Sequence, residues 1–248
     1  MSDRPAIVRL EGVTKSFGAH RVLDNVSFAI PKGSAFVLLG RSGTGKSVTL
    51  RHIIGLMRPD AGRIIVDGRD IGALTRRELS EMRKHIGFLF QNAALFDSMT
   101  VGENAAFPLR RHTRLTDAEI EQRARQKLAD VGLESEFDKL PAELSGGMKK
   151  RAALARAMAL DPAILLVDEP SAGLDPITTR EIDDLLVERK QGGTTLAVVT
   201  HNIPSARAIG DELALLHGGR IVARGTAADL DRNHEPLVQA FMHAEGGG

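Results

Sequence analysis

The sequence predicts an α/β fold, with an antiparallel β flank on one side of a mostly buried core and a helical subdomain inserted in its middle. Three observations predict it. Short continuous apolar runs at residues 35–39, 163–167 and 195–199 read as strands buried on both faces, and the first two lead into helix-patterned stretches. Residues 7–13 and 21–30 instead alternate apolar and polar, as half-exposed antiparallel strands do. Between residues 91 and 160 helix signals recur without a convincing strand.

In chain order, Lys15-Ser16-Phe17-Gly18 reads as the turn between the first two strands. Phe17 either stacks on a flat ligand or closes a small core, and its composition class favours the core. The buried strand 35–39 leads to a helix over 47–57, with apolar Val48, Leu50, Ile53, Ile54 and Leu56. Asp67-Gly68 punctuates a further hairpin between residues 63–66 and 70–71. A strand over 85–90 runs into Gln91, and residues 92–100 are apolar but too irregular for a strand. A helix over 101–109 and a basic solvated loop, Arg110 to Arg114, follow.

Thr116 and Glu119 form a capping box for a helix whose apolar face is Ile120, Ala124, Leu128 and Val131, ended by Gly132. Leu144-Ser145-Gly146-Gly147 precedes a helix over 148–160. A helix over 177–190 turns Ile177, Ile182, Leu185 and Leu186 inwards. Residues 212–216 and 220–222 form a hairpin around Gly218-Gly219, and the tail from Thr226 is helical in pattern, fraying at 246–248. The expected division is residues 1–90 and 161–225 as core with β flank, 91–160 as helical subdomain, and 226–248 as C-terminal helix and tail, all within one domain.

Composition narrows the function classes. Among 248 residues, Lys+Arg is 33 and Asp+Glu is 32, so no net field draws the chain to nucleic acid. Cysteine is absent, which excludes disulfides, Cys-ligated zinc and iron–sulfur clusters. The first residues carry no signal-peptide core, and no apolar run approaches the roughly 18 residues that span a bilayer. Any membrane role is therefore expected to be peripheral.

The chemistry centres on Gly40-Arg41-Ser42-Gly43-Thr44-Gly45-Lys46-Ser47. It matches G-x-x-x-x-G-K-[ST] between a strand and a helix, the context that pattern requires. Glycines let successive N–H groups face one point, and the helix N-terminus adds partial positive charge, so a polyphosphate is held largely by main chain. Lys46 reaches the β- and γ-phosphates, and the Ser47 hydroxyl ligates Mg²⁺. The chain is thus expected to bind a nucleoside triphosphate. Asp168 and Glu169 end a buried strand, where α/β sheets place their ligands. Asp168 suits Mg²⁺ through water, and Glu169 suits orienting and deprotonating an attacking water. His201 ends another buried strand, where it is either structural or a donor to the γ-phosphate. Ser145-Gly146-Gly147 is either an ordinary cap or a second anion site at a helix N-terminus. With two such ends about a hundred residues apart, a head-to-tail homodimer sharing its nucleotides is one arrangement they suit.

Together these residues resemble the nucleotide-binding subunit of ABC transporters over nearly the whole chain, which implies a P-loop NTPase (RecA-like) core. Residues 40–47 look like Walker A, 164–169 like Walker B with the catalytic glutamate, and 144–148 like the signature. Gln91 looks like the Q-loop, residues 171–175 like the D-loop and His201 like the switch histidine. The resemblance implies that Phe17 stacks on adenine, that Gln91 joins Ser47 and Asp168 at Mg²⁺, and that the chain hydrolyses ATP. Met148 departs from the glutamine of many members, while the Gly146 and Gly147 amides remain. That departure, with residues 90–101 and 106–113, is similar to the Mla-type ATPases that work with MCE-domain proteins in phospholipid transport between bacterial membranes. The implied partners are a second copy, integral-membrane permease subunits, an MCE-domain protein and a STAS-domain protein. Nucleic acid and direct cargo contact are not expected. The implied location is peripheral, on the cytoplasmic side of the bacterial inner membrane. Residues 93–99 are the candidate groove for a permease coupling helix, or else pack within the helical subdomain. The alternatives are an importer or exporter ATPase for another cargo, a soluble ABC ATPase and an ATP-gated module that does not hydrolyse.

Overall fold

Strand β3, Ala35–Leu39, is buried along its length and divides its side chains between two cores. Ala35, Val37 and Leu39 face one, and Phe36 and Leu38 face the other. The two-residue period of a strand produces this split. β7 (Ile164–Asp168) and β8 (Thr195–Thr200) repeat it, with Leu165, Val167, Leu196 and Val198 on the first side. Ile164, Leu166, Ala197 and Val199 lie on the second. Truncating a fully buried leucine such as Leu39 or Leu166 to alanine costs about 2–5 kcal/mol.

The computed structural model describes residues 4–243. Its larger sheet has the order β10 (Arg220–Gly225), β9 (Glu212–His217), β3, β8, β7 and β6 (Ile86–Leu89). β9, β3, β8, β7 and β6 run parallel, and β10 returns antiparallel on β9. The smaller sheet is antiparallel, in the order β2 (His20–Pro31), β1 (Ala6–Phe17), β4 (Ala61–Val66) and β5 (Arg69–Asp70). It packs with α1 (Lys46–Ile53) and α2 (Arg76–Arg83) against the second core, and Phe28 stacks on Phe36 at 4.5 Å between the sheets.

The other core joins the large sheet to α3 (Val101–His112), α4 (Asp117–Ala129), α5 (Gly146–Ala157), α6 (Pro176–Gln191) and α7 (Ile203–Ile209). The α/β class with an antiparallel β flank is therefore as expected. Leu39 lies opposite Thr200, Asp168 opposite Val199 and Leu89 opposite Val167. This register brings the C-terminal ends of four parallel strands to one edge, and with them residues 40–47, Gln91, Glu169 and His201.

Several local expectations change. β1 continues through Lys15, Ser16 and Phe17, and the turn falls at Gly18-Ala19, because Asp60 binds Lys15 Nζ (2.6 Å) and the Ser16 N–H (2.7 Å). Phe17 is 48% exposed, so the core reading of that ring is overturned. α1 stops at Ile53, where Arg83 donates to the Ile54 (3.0 Å) and Gly55 (2.9 Å) carbonyls. α3 runs through Pro108 to His112, so Arg110, Arg111 and His112 form a helix end rather than a loop, where positive charge suits the dipole.

Ile177 is 76% exposed in the first turn of α6, where its N–H bonds the capping Asp175, while Ile182 and Leu186 are fully buried. α5 begins two residues earlier and ends three residues earlier than the 148–160 pattern. The tail forms two short helices, α8 (Ala227–Asp231) and α9 (Pro236–Met242), and residues 246–248 lie outside the described residues. α2 and α7 fall where no helix is expected from the apolar pattern. Their signals were the Thr75–Glu78 capping box and the Asn202 cap followed by Pro204.

Candidate functional site

Residues 40–47 leave β3 and turn into α1 through Gly45, whose φ of 102° belongs to the left-handed region that favours glycine. A Cβ there would lie 2.9 Å from the Val22 carbonyl oxygen, and one on Gly40 would lie 2.7 Å from the Leu216 carbonyl oxygen. Two glycines of the loop are thus fixed by close approach of this chain's own backbone. The Thr44 hydroxyl donates to the Arg41 carbonyl at 2.8 Å and closes the turn. Lys46 folds back over it: Nζ donates to the Gly40 (2.7 Å) and Arg41 (3.1 Å) carbonyls.

Lys46 Nζ also lies 3.0 Å from Glu169 Oε1. Glu169 Oε2 is 2.8 Å from His201 Nδ1 and accepts from the His201 N–H at 3.3 Å. One carboxylate thus joins the phosphate loop to the end of β8. The Glu169 backbone sits at φ 47°, unusual for a residue with a side chain, and its N–H donates to the Val199 carbonyl at 2.9 Å. His201 keeps more than half of its side chain exposed, whereas Lys46 and Glu169 are nearly buried.

Ser47 Oγ donates to Asp168 Oδ1 at 2.7 Å. Asp168 is buried, and desolvation raises its carboxyl above the ordinary aspartate range. The Ser47 hydroxyl opposes that shift, and the Glu169 charge adds to it. An oxygen pair of this kind fits a hard divalent cation, whose charge would offset the burial of the carboxylate. The main-chain turn closed by glycine fits a polyphosphate.

Gln91, at the end of β6, is exposed, and its carbonyl accepts from Lys150 Nζ of α5. Phe17 lies at the tip of the β1–β2 hairpin with Lys15 Nζ 5.7 Å from its ring centroid. Ser145 caps α5, accepting from the Met148 N–H at 3.3 Å, and both Ser145 and Gly146 are exposed. No described hydrogen bond links Ser145, Gly146 or Gly147 to residues 40–47 within this chain. A cleft of about 1340 Å³ borders Arg41, Ser42, Ser171, Asp183, His201 and Phe241.

Three residues escaped sequence reasoning. Lys150 is buried at the centre of the site, hidden in the run Lys149-Lys150-Arg151. Arg156 donates to the Ala93 (3.0 Å) and Ala94 (2.8 Å) carbonyls, both in residues of positive φ, and so shapes the loop after Gln91. Asp183 is buried on α6 at the wall of the cleft. The helix pattern signalled the last as a polar residue next to Ile182; nothing signalled the other two.

The profile described as ABC transporter matches residues 23–172. The "probable ribonucleotide transport ATP-binding protein mkl" of Mycobacterium tuberculosis is 46% identical over 95% of this chain, which spans 66% of that protein. The "intermembrane phospholipid transport system ATP-binding protein MlaF" of Escherichia coli K12 is 40% identical over 95% of this chain and 88% of that protein. A dimeric structure of the cassette MJ0796 in a post-hydrolysis state with ADP and Pi superposes with a TM-score of 0.82 at 35% identity, over 88% of this chain and 98% of that one. The match to the family profile, the two relatives and the shared fold agree with the geometry around residues 40–47: the chain belongs to the ABC transporter family.

Proposed function

We propose that this chain is the ATP-hydrolysing subunit of a membrane transporter that moves phospholipid between the bacterial inner and outer membranes. The observation that carries the hydrolytic part is Glu169, bound to Lys46 on one oxygen and to His201 on the other. ATP phosphates entering the loop compete with Glu169 for the Lys46 ammonium. Once Lys46 turns to the phosphates, Glu169 Oε1 is released to orient a water and take its proton. His201, held at Nδ1, keeps its other ring nitrogen for the γ-phosphate side.

Ser47 and Asp168, with Gln91, would hold Mg²⁺, which supplies charge neutralisation of the β- and γ-phosphates when bound. The exposed Phe17 ring would stack on adenine. The residues Ser145, Gly146 and Gly147 would meet the nucleotide of a second copy. The exposure of Ser145 and Gly146, the lack of bonds from all three to their own phosphate loop and the dimeric MJ0796 cassette support that arrangement.

Among the described residues no helix is long and apolar enough to cross a membrane. The chain is read as peripheral, on the cytoplasmic side of the inner membrane, beneath permease subunits. Phe96 and Phe107, 4.8 Å apart and both exposed, support docking of a coupling helix on the loop after Gln91. The phospholipid cargo rests on the likeness to MlaF, and with it an MCE-domain and a STAS-domain partner. A ribonucleotide cargo is the second reading, favoured by the likeness to mkl.

The test is to tag this chain in its native cell, isolate its membrane complex and identify both proteins and bound lipids by mass spectrometry. A permease, an MCE-domain protein and retained phospholipid are expected. A permease with a nucleotide-binding receptor and no MCE protein would overturn the phospholipid reading.

A further inference from the structure

Lys150 is 5% exposed and lies one turn into α5, the helix that Ser145 caps. Its ammonium donates to two main-chain carbonyls, that of Gln91 and that of Glu169, the latter at 3.1 Å. These carbonyls belong to loops at the ends of β6 and β7. They lie 78 positions apart in sequence and are joined through this one cation. Burial lowers the Lys150 pKa, opposed by the charges of Asp168 and Glu169. A buried ammonium is costly unless paired and hydrogen-bonded, so these contacts are what allow it here.

Glu169 needs such support. Its left-handed φ of 47° is strained for a residue with a Cβ, and it persists only where the surroundings fix it. Val199 accepts from the Glu169 N–H on one side, and Lys150 donates to the Glu169 carbonyl on the other. Removing the ammonium frees that peptide to rotate and swings the carboxylate away from Lys46 and His201. It also frees the Gln91 carbonyl, so both loops lose their common anchor.

We infer that Lys150 is a positioning residue that ties the Ser145-bearing helix to Gln91 and Glu169, so that the seating of α5 sets the aim of the attacking-water base. This rests on the reading of Glu169 as that base. Among the described residues Lys150 hydrogen-bonds only to main-chain carbonyls, so its direct part is to hold the geometry of the two loops.

The test compares Lys150→Met, Lys150→Arg and Glu169→Gln in the full chain, reading ATP turnover, KM and nucleotide affinity. Lys150→Met is expected to lower kcat by about 10²-fold, the size of loss a misplacement of about 1 Å produces. KM and nucleotide affinity should stay within about twofold, because no phosphate contact is removed. Lys150→Arg should recover most of the rate, since the guanidinium supplies donors to the same two carbonyls. In a Glu169→Gln background, Lys150→Met should cost nothing further, because the base it aims is already gone. Where the methionine variant does not fold, Lys150→Gln, whose shorter side chain keeps a donor but does not span both carbonyls, carries the same comparison with a smaller loss of kcat expected. Wild-type turnover of Lys150→Met beside an inactive Glu169→Gln overturns the role of Lys150 alone. So does an equal loss of affinity and kcat, or a full further loss in the double variant. Wild-type turnover of Glu169→Gln overturns the base reading and this inference with it.

Discussion

Lys46 Nζ and Glu169 Oε1 lie 3.0 Å apart with both side chains nearly buried, so the lysine of the glycine-rich loop and the carboxylate after β7 hold each other. Nucleotide phosphates must displace that contact, and the strength of binding reflects the exchange. Glu169→Gln removes the competing charge and lessens the negative potential beside the loop. Nucleotide affinity is expected to rise by a few-fold while hydrolysis falls by about 10²-fold or more. Equilibrium binding and phosphate release on the same preparation check it, and turnover near wild type would show that another group acts as base.

Lys46→Ala is expected to abolish nucleotide-dependent activity. It also leaves Glu169 buried with only His201 and the His201 N–H as partners. Breaking a buried pair from one side destabilises by about 3–5 kcal/mol, so the thermal midpoint should fall as well. Glu169→Gln in the same background should recover part of that midpoint without recovering activity. A double variant no more stable than Lys46→Ala would show that the pair is not what the stability loss reports.

Gly146 and Gly147 separate what the chain needs for itself from what it offers a second copy. A Cβ on Gly147 would lie 2.3 Å from Thr178 Cγ2, so alanine there disturbs the packing of α5 on α6 within one molecule. A Cβ on Gly146 meets nothing nearer than Leu174 Cδ2 at 3.7 Å, an ordinary contact. Gly147→Ala should therefore lower the thermal midpoint, whereas Gly146→Ala should leave it unchanged and still reduce turnover. Ser145→Arg should likewise spare nucleotide binding by the single chain and block ATP-dependent dimerisation, read by light scattering. Cooperative hydrolysis surviving that change would end the shared-site reading.

Which of these features the sequence discloses follows from how local their causes are. The two-sided burial of β3 and the capping box at Thr116 are written within a few residues, and both were legible. Residues 40–47, Asp168, Glu169 and His201 were legible as candidates, because each ends a buried strand. Their mutual contacts depend on the register of four parallel strands, which no local pattern states. Ile177 misled because an apolar residue in the first turn of a helix can face outward when the capping Asp175 sets the entry angle. Lys150 was hidden for a similar reason, since a lysine between Lys149 and Arg151 reads as surface until α5 is seated over Gln91 and Glu169.

Asp183 gives a pH test independent of the nucleotide. It is buried on α6, its Oδ1 has no hydrogen-bond partner among the described residues, and desolvation raises its pKa from 3.8 to about 6. The Asp184 charge adds to that shift. A carboxyl raised in the folded state binds its proton more tightly there than in the unfolded chain. Its penalty is therefore present in full above about pH 6 and is relieved as pH falls from about 6 towards 3.8. The shift corresponds to about 3 kcal/mol at neutral pH. Asp183→Asn, neutral throughout, should be more stable than wild type at pH 7.5, and that advantage should shrink steadily as pH falls to about 4.5. Urea denaturation of both proteins across this range reads the difference directly, so other titrating groups cancel. A stability gap that does not change with pH would show that Asp183 carries the same charge folded and unfolded.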